Sequence, residues 1–167
     1  HLKEVSEEEK TEMKCLQNWA REIRYNFFFK LLEKENLDFI VTAHHLNDEL
    51  ETFIINLSRG SGIKGLSGIP KNENRILRPF LTFSKSEIYA FAEENNIDFR
   101  EDKSNQKDDY LRNKIRIKIV PKITEIFPNF LEQFGESIVY LATVNQFFQE
   151  EIQKTFEEIL INGNESD

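Results

Sequence analysis

The sequence predicts an α/β fold with parallel strands, and three observations carry that prediction. Segments of helical period alternate with short β-branched runs in the order helix, strand, helix, strand, helix. The run Phe39-Ile40-Val41-Thr42-Ala43 is apolar, β-branched and bounded by Asp38 and His44, as a buried strand would be. Directly after it, Leu46, Leu50, Phe53, Ile54 and Leu57 fall at helical spacing and define one buried helix face.

Taken in order, the chain opens with Ser6 and Glu9 at capping-box spacing. Met13, Leu16, Ala20, Ile23, Phe27 and Leu31 then predict one long helix to about Glu35, with Trp19 and Phe28 widening its apolar face. Asn36-Leu37-Asp38 breaks it before the strand. After the second helix, Arg59-Gly60-Ser61-Gly62 reads as a stop, because glycine takes the left-handed conformation that ends helices. It is no phosphate loop, since such a loop precedes its helix. Residues 63–70 read as loop, 71–74 as a polar turn, and 75–81 as a short strand that Pro79 ends or confines to an edge. Ser84 and Glu87 form a second capping box, opening a helix with Ile88, Phe91 and Ala92 that stops at Asn95-Asn96. Residues 99–106 are polar and irregular, and 109–120 read as a basic helix. Pro121 and Pro128 mark a boundary. From Phe130 to Leu160 one amphipathic pattern predicts a helical hairpin or bundle element, with Gly135 as a start or kink and the last residues frayed.

Hydrophobic residues make up 39% of the chain and charged residues 31%, enough for a core and for solubility. No apolar run reaches the ~20 residues that cross a bilayer. The polar start His1-Leu2-Lys3-Glu4-Val5-Ser6 does not read as a signal peptide. A lone Cys15 rules out an internal disulfide framework and fits a reducing cytoplasm. The net charge of −8 has the wrong sign for a nucleic-acid binder, yet Arg112, Lys114, Arg116, Lys118 and Lys122 form a local strip without acids. Such a strip suits a phosphate-bearing partner, although basic runs on solvated faces are common.

The chemistry gathers between Thr42 and Gly62. In open α/β sheets ligands bind beyond the carboxyl ends of strands, which is where His44, His45, Asp48 and Glu51 fall. Asp48 and Glu51 stand three apart, so both carboxylates point the same way. Each also has a plain reading. Acids early in a helix are favoured by the macrodipole, and a histidine at a strand end is commonly structural.

Four separated pieces carry a family resemblance: Ala20-Arg21-Glu22-Ile23-Arg24-Tyr25; the TAHHLNDELET…RGSG…GL block; Arg78-Pro79 with Lys85-Ser86-Glu87-Ile88; and Glu101-Asp102-Lys103-Ser104-Asn105 with Arg112-Asn113-Lys114-Ile115-Arg116. Together they resemble the tRNA(Ile)-lysidine synthase family of the N-type ATP-pyrophosphatase (PP-loop) superfamily. The resemblance covers Ala20 to Pro121. It implies part of a Rossmann-like parallel-sheet ATP-pyrophosphatase domain in residues 1–122 and a small helical domain or hairpin in 123–167.

The activity implied is ligation of lysine to C2 of the wobble cytidine in the CAU anticodon of an isoleucine tRNA. ATP adenylates the base, and the lysine amine then displaces AMP. Carried over residue by residue, Asp48 and Glu51 are the lysine-handling pair, while His44, Asp48 and Arg116 are the catalytic set. Arg24 is the ATP contact, and Arg112, Lys114 and Lys118 face the tRNA backbone. ATP and Mg2+ are the implied cofactors, with the ion held by phosphates and water. The implied partners are isoleucine tRNA, free L-lysine and a second subunit, with no membrane, and the implied location is cytoplasmic. One departure stands: the Ser-Gly-Gly-x-Asp-Ser loop of the superfamily is not in this sequence. The expectation is a fragment without that loop, unable to form lysidine alone.

Three other readings compete. A tRNA thiolase needs catalytic cysteines beyond Cys15. A metal-dependent hydrolase would use His44, His45 and Asp48, where a typical site wants three or four convergent ligands. A non-catalytic tRNA-binding or oligomerising module would use the basic helix and the tail.

Overall fold

The computed structural model of the chain describes residues 16–100 and 111–164, which divide into two compact units. Of the described residues, the first unit takes 16–42 with Asn72–Arg78. The second takes Ala43–Lys71, 79–100 and 111–164. The capping box at Ser6 and Glu9, Met13, Cys15 and the Glu101-Asp102-Lys103-Ser104-Asn105 motif lie outside the described residues.

The first unit holds helix α1 (Leu16–Lys34) and strands β1 (Ile40–Val41), β2 (Asn72–Glu73) and β3 (Ile76–Leu77). The end of α1 is set by Asn36, whose φ of 51° is the left-handed cap conformation; Leu37 N–H then donates to Leu32 O at 2.8 Å. The strands form one sheet in the order β1-β3-β2. β1 pairs with β3 in parallel, Ile40 opposite Ile76, as the alternation of elements predicts. β2 pairs antiparallel to β3, so the sheet is mixed rather than parallel. The polar 71–74 stretch, expected only as a turn, supplies that extra strand because β3 offers it a free edge.

The two residues between β2 and β3, Asn74 and Arg75, have φ of 50° and 61°. That is the primed class of hairpin turn, whose twist matches its strands. Asn accepts such a φ readily and Arg does not. The Arg75 guanidinium offsets the strain by donating to Asp38 O at 2.9 Å, to Glu33 Oε1 at 2.6 Å and to Leu37 O. Leu32 and Ile76 are the buried apolar centre of this unit. Both strands are shorter than the apolar runs predict, and β3 ends at Leu77, before Pro79.

The second unit is helical: α2 (Leu46–Ser58), α3 (Ile63–Leu66), α4 (Lys85–Glu94), α5 (Leu111–Lys114), a π-helical segment (Ile115–Ile119), α6 (Val120–Ile126) and α7 (Phe130–Asn164). Its core joins Leu46 and Leu50 of α2 to Phe134 and Ile138 of α7, flanked by Phe53, Ile54, Val120, Phe130, Leu131 and Leu141. Phe53 meets Phe134 edge-on at 5.4 Å between ring centroids, a favoured aromatic geometry.

Several expectations change here. α3 occupies part of the expected 63–70 loop. α7 is one continuous helix of 35 residues and not a hairpin, and it runs to Asn164, into the stretch expected to fray. Gly135 lies within it and does not start it. A Cβ there would lie 3.3 Å from Leu46 Cδ2, so the glycine lets α7 approach α2 closely. Leu57, expected on the buried face of α2, is exposed. Among the described residues no helix is long and apolar enough to cross a membrane.

Candidate functional site

The site is built on the first two turns of α2. His45 is the N-cap, in extended conformation, and its backbone N–H donates to Asp48 Oδ2 at 3.1 Å. A carboxylate at this position satisfies a donor that the helix start leaves open. The same helix end is clamped to the start of α4. Leu46 N–H donates to Phe83 O at 2.9 Å, and Lys85 N–H donates to Asn47 Oδ1 at 2.8 Å. α4 in turn begins with the predicted capping box. Glu87 N–H donates to Ser84 Oγ at 3.2 Å, and Ser84 N–H to Glu87 Oε2 at 2.7 Å.

One turn further along α2, Glu51 is 1% exposed. Its carboxylate is held by a guanidinium fork: Arg116 Nε donates to Oε1 at 2.6 Å and Arg116 Nη2 to Oε2 at 3.0 Å. Arg116 Nη2 also donates to Asp48 Oδ1 at 3.3 Å. Arg112 adds a second cation, its Nε 3.4 Å from Glu51 Oε2 and its Nη2 donating to Thr52 Oγ1. Arg112 and Arg116 lie four apart, on one side of their helical run, which is why both reach α2. Arg116 belongs to the π-helical segment, a local form found mostly as single turns at functional sites. Ile115 beside it is buried and anchors the segment. The hydrogen bonds that the guanidinium donates to Glu51 hold its pKa above the ordinary arginine value; burial alone would lower it, and the Glu51 and Asp48 charges add to the rise. A fork on a buried carboxylate is the strong form of this contact.

The imidazole against Asp48 is that of His45, with Nδ1 3.4 Å from Asp48 Oδ2, buried and without a hydrogen bond. Burial pushes its pKa below the ordinary histidine value, helped by the Arg116 and Lys85 charges, while Asp48 and Glu51 pull the other way. The ring is therefore neutral near pH 7.

Asp48, Glu51, Arg116 and Arg112 thus come together in the second unit. His44 is half-buried, and Lys114 and Lys118 are exposed on the basic helical run. Arg24 is exposed on α1, in the first unit. That unit has a cavity of about 380 Å³ lined by Arg21, Tyr25, Asn26, Phe29 and Arg78 among others; Arg24 is not among its lining residues. Among the described residues no group of three or more His, Cys, Asp and Glu is arranged to hold a metal ion.

Glu49 escaped the sequence reading. It is buried, and its Oε2 accepts from Ile69 N–H at 2.8 Å, tying the segment after α3 back to α2. The signal was present: Glu49 stands three residues after Leu46, on the apolar face. Gly68 has φ of 83°, and a Cβ on it would lie 2.5 Å from Glu49 Oε2.

The chain is similar to known proteins over most of its length. A tRNA(Ile)-lysidine synthase of Petrotoga mobilis is 40% identical over 139 residues, 83% of this chain and 43% of that protein. One of Clostridium perfringens is 38% identical over 169 residues, 99% of this chain and 35% of that protein. One of Bacillus subtilis is 37% identical over 134 residues, 78% of this chain and 28% of that protein. The chain spans less than half the length of each of these relatives. Residues 1–123 match the PP-loop domain, and on that match the chain belongs to the PP-loop domain family.

Proposed function

We propose that this chain is the part of a tRNA(Ile)-lysidine synthase that receives lysine and directs it onto an activated cytidine. The observation that carries the reading is the convergence of Asp48, Glu51 and Arg116, two acids and a guanidinium on adjacent helices. The curated relatives bearing that name support the substrate and product classes.

In the proposed reaction, the C2 oxygen of the wobble cytidine attacks the α-phosphate of ATP and pyrophosphate leaves. The lysine amine then attacks C2, loses its proton, and AMP departs with the C2 oxygen. Asp48 and Glu51 attract and orient the ammonium ion, and a carboxylate of the pair takes the proton that the amine releases as it attacks. Arg116 supplies positive charge for the departing phosphate. His44 and Arg24 are proposed to act beside the adenylated base and at ATP, respectively. Arg112, Lys114 and Lys118 are proposed to contact tRNA phosphates. Magnesium is proposed to arrive with the ATP phosphates, since the described residues offer it no cage.

The Ser-Gly-Gly-x-Asp-Ser loop is not among these residues, so the activity is proposed for the gene product that unites this chain with such a loop. A catalytic part over 1–122, a helical part over 123–167 and a cytoplasmic setting belong to the same reading. A homodimer is proposed too; exposed Val144, Phe148, Ile152, Phe156 and Ile159 on α7 support it. The test supplies the gene product with ATP, labelled lysine and an isoleucine tRNA bearing CAU, then identifies the modified nucleoside by mass. Lysidine with one AMP and one pyrophosphate per turnover is expected. Adenylated tRNA that never takes up lysine would remove the reading.

A further inference from the structure

α4 carries an aromatic stack that the proposed reaction leaves unused. Lys85 is the first residue of α4, and its N–H donates to Asn47 Oδ1 at 2.8 Å, which sets it beside the start of α2. One turn further on, Tyr89 comes under the Lys85 side chain, with Nζ 4.8 Å from the ring centroid. The far end of α4 then turns the chain back. Asn96 takes a φ of 52°, and Ile97 N–H donates to Ala92 O at 2.8 Å, the bond that closes a helix past a left-handed residue. That reversal returns Phe99 to Tyr89. The two rings lie nearly parallel, with 20° between their planes and 4.7 Å between centroids. Tyr89 is within electrostatic reach of Arg116, and Lys85 of His45, so the stack borders the cluster on α2.

Phe99 is 45% exposed, so its ring contributes little to a core. An exposed flat ring, backed by a second ring and a cation, offers a nucleobase a face to stack on, and such stacking suits any base. We infer that Phe99, backed by Tyr89 and Lys85, is a stacking platform for an unpaired nucleobase next to the wobble cytidine of the tRNA loop. This inference rests on the function proposed above. A cytidine that reaches the Arg116 cluster has to leave the stack of its own loop, and unstacking is costly. A neighbouring base held on Phe99 offsets part of that cost and keeps the loop open beside the site. The platform thus positions the loop without reading its sequence.

The experiment measures the Kd of the full gene product for three forms of isoleucine tRNA bearing CAU. One is intact, and the others carry an abasic nucleotide on one or the other side of the wobble cytidine. Phe99→Leu keeps an apolar side chain and removes the flat ring. It is expected to weaken binding of the intact tRNA about tenfold, in line with the loss of one stacked base. With one of the two abasic tRNAs the same substitution should change Kd by less than about twofold, because that tRNA has no base to place on the ring. Phe99→Trp should bind the intact tRNA within about twofold of wild type, and KM for ATP and for lysine should hold to the same margin in both variants. An unchanged Kd for Phe99→Leu, equal losses with all three tRNAs, or Phe99→Trp no better than Phe99→Leu would each overturn the inference. So would a rise in ATP KM of about fivefold or more, which would put the adenine of ATP on the platform instead. If Phe99→Leu does not fold, Phe99→Met takes its place, with the same pattern expected. A wild-type protein that binds the tRNA but makes no lysidine strikes the proposed function alone; one that binds no tRNA strikes both.

Discussion

Arg116 grips Glu51 with two parallel donors, Nε to Oε1 at 2.6 Å and Nη2 to Oε2 at 3.0 Å. The carboxylate is inside the helical unit, whereas the Arg116 side chain keeps 30% exposure. The pair therefore joins the π-helical segment to α2 at the point where the candidate chemistry is assembled. Removing the cation strands a buried anion, and that asymmetry makes the contact measurable.

Arg116→Ala should destabilise the fold by about 3 kcal/mol, at the lower end for a broken buried pair because Arg112 still stands near Glu51. Urea unfolding monitored by circular dichroism measures it. A loss below about 1 kcal/mol would mean that water screens Glu51 far better than its burial implies.

His45 sets a pH dependence. Its folded pKa lies below the ordinary 6.5, with burial the main cause. The unfolded chain therefore binds more protons once pH falls below about 6.5, and stability declines with falling pH down through the folded pKa. Above about pH 7 the contribution is complete. Melting temperatures taken across that window should drop less steeply for His45→Gln than for wild type. Parallel curves for the two proteins would show that the imidazole titrates as it does in water.

Gly68→Ala places a methyl group 2.5 Å from Glu49 Oε2 and 3.0 Å from Ile138 Cγ1, at a φ of 83° that L-residues disfavour. A loss of about 2 kcal/mol or more is expected from backbone strain and the displaced carboxylate. Thermal unfolding of the variant checks this. A melting temperature equal to wild type would show that the Glu49 carboxylate can move at no cost.

The two halves of α7 should respond oppositely to truncation. Phe134 is buried against Phe53 and Phe130, so Phe134→Ala should cost about 3 to 5 kcal/mol. Phe156 is 60% exposed, and Phe156→Ser should stay within about 0.5 kcal/mol in dilute solution. Chemical denaturation at low protein concentration compares them; a large loss for Phe156→Ser would place that ring in a concealed interface.

How much of this was legible in the sequence depends on the range of the interaction that decides each feature. The Leu46 and Leu50 face, the Ser84 and Glu87 cap and the stop at Asn36 are local, and all three stand in the structure. β2 was not legible, because Asn72 and Glu73 become a strand only by pairing with β3. The close approach of Gly135 to Leu46 was not legible either, because Leu46 is far away in sequence. His44 and His45 look alike in composition; N-cap geometry turns His45 toward Asp48. The π-helical register at Ile115–Ile119 leaves no mark in hydrophobic period. Asp48, Glu51 and Arg116 were each marked by resemblance, but their closure into one cluster is a tertiary fact.

Asp48 is proposed to receive an amine bound for an activated cytidine. The most direct measurement of that role is the rate of labelled-lysine incorporation into isoleucine tRNA at subsaturating lysine, wild type against Asp48→Asn in the full gene product. A loss of at least about a hundredfold is expected, in line with removal of a group that both binds and helps deprotonate the amine. Equal rates in the two proteins would contradict it.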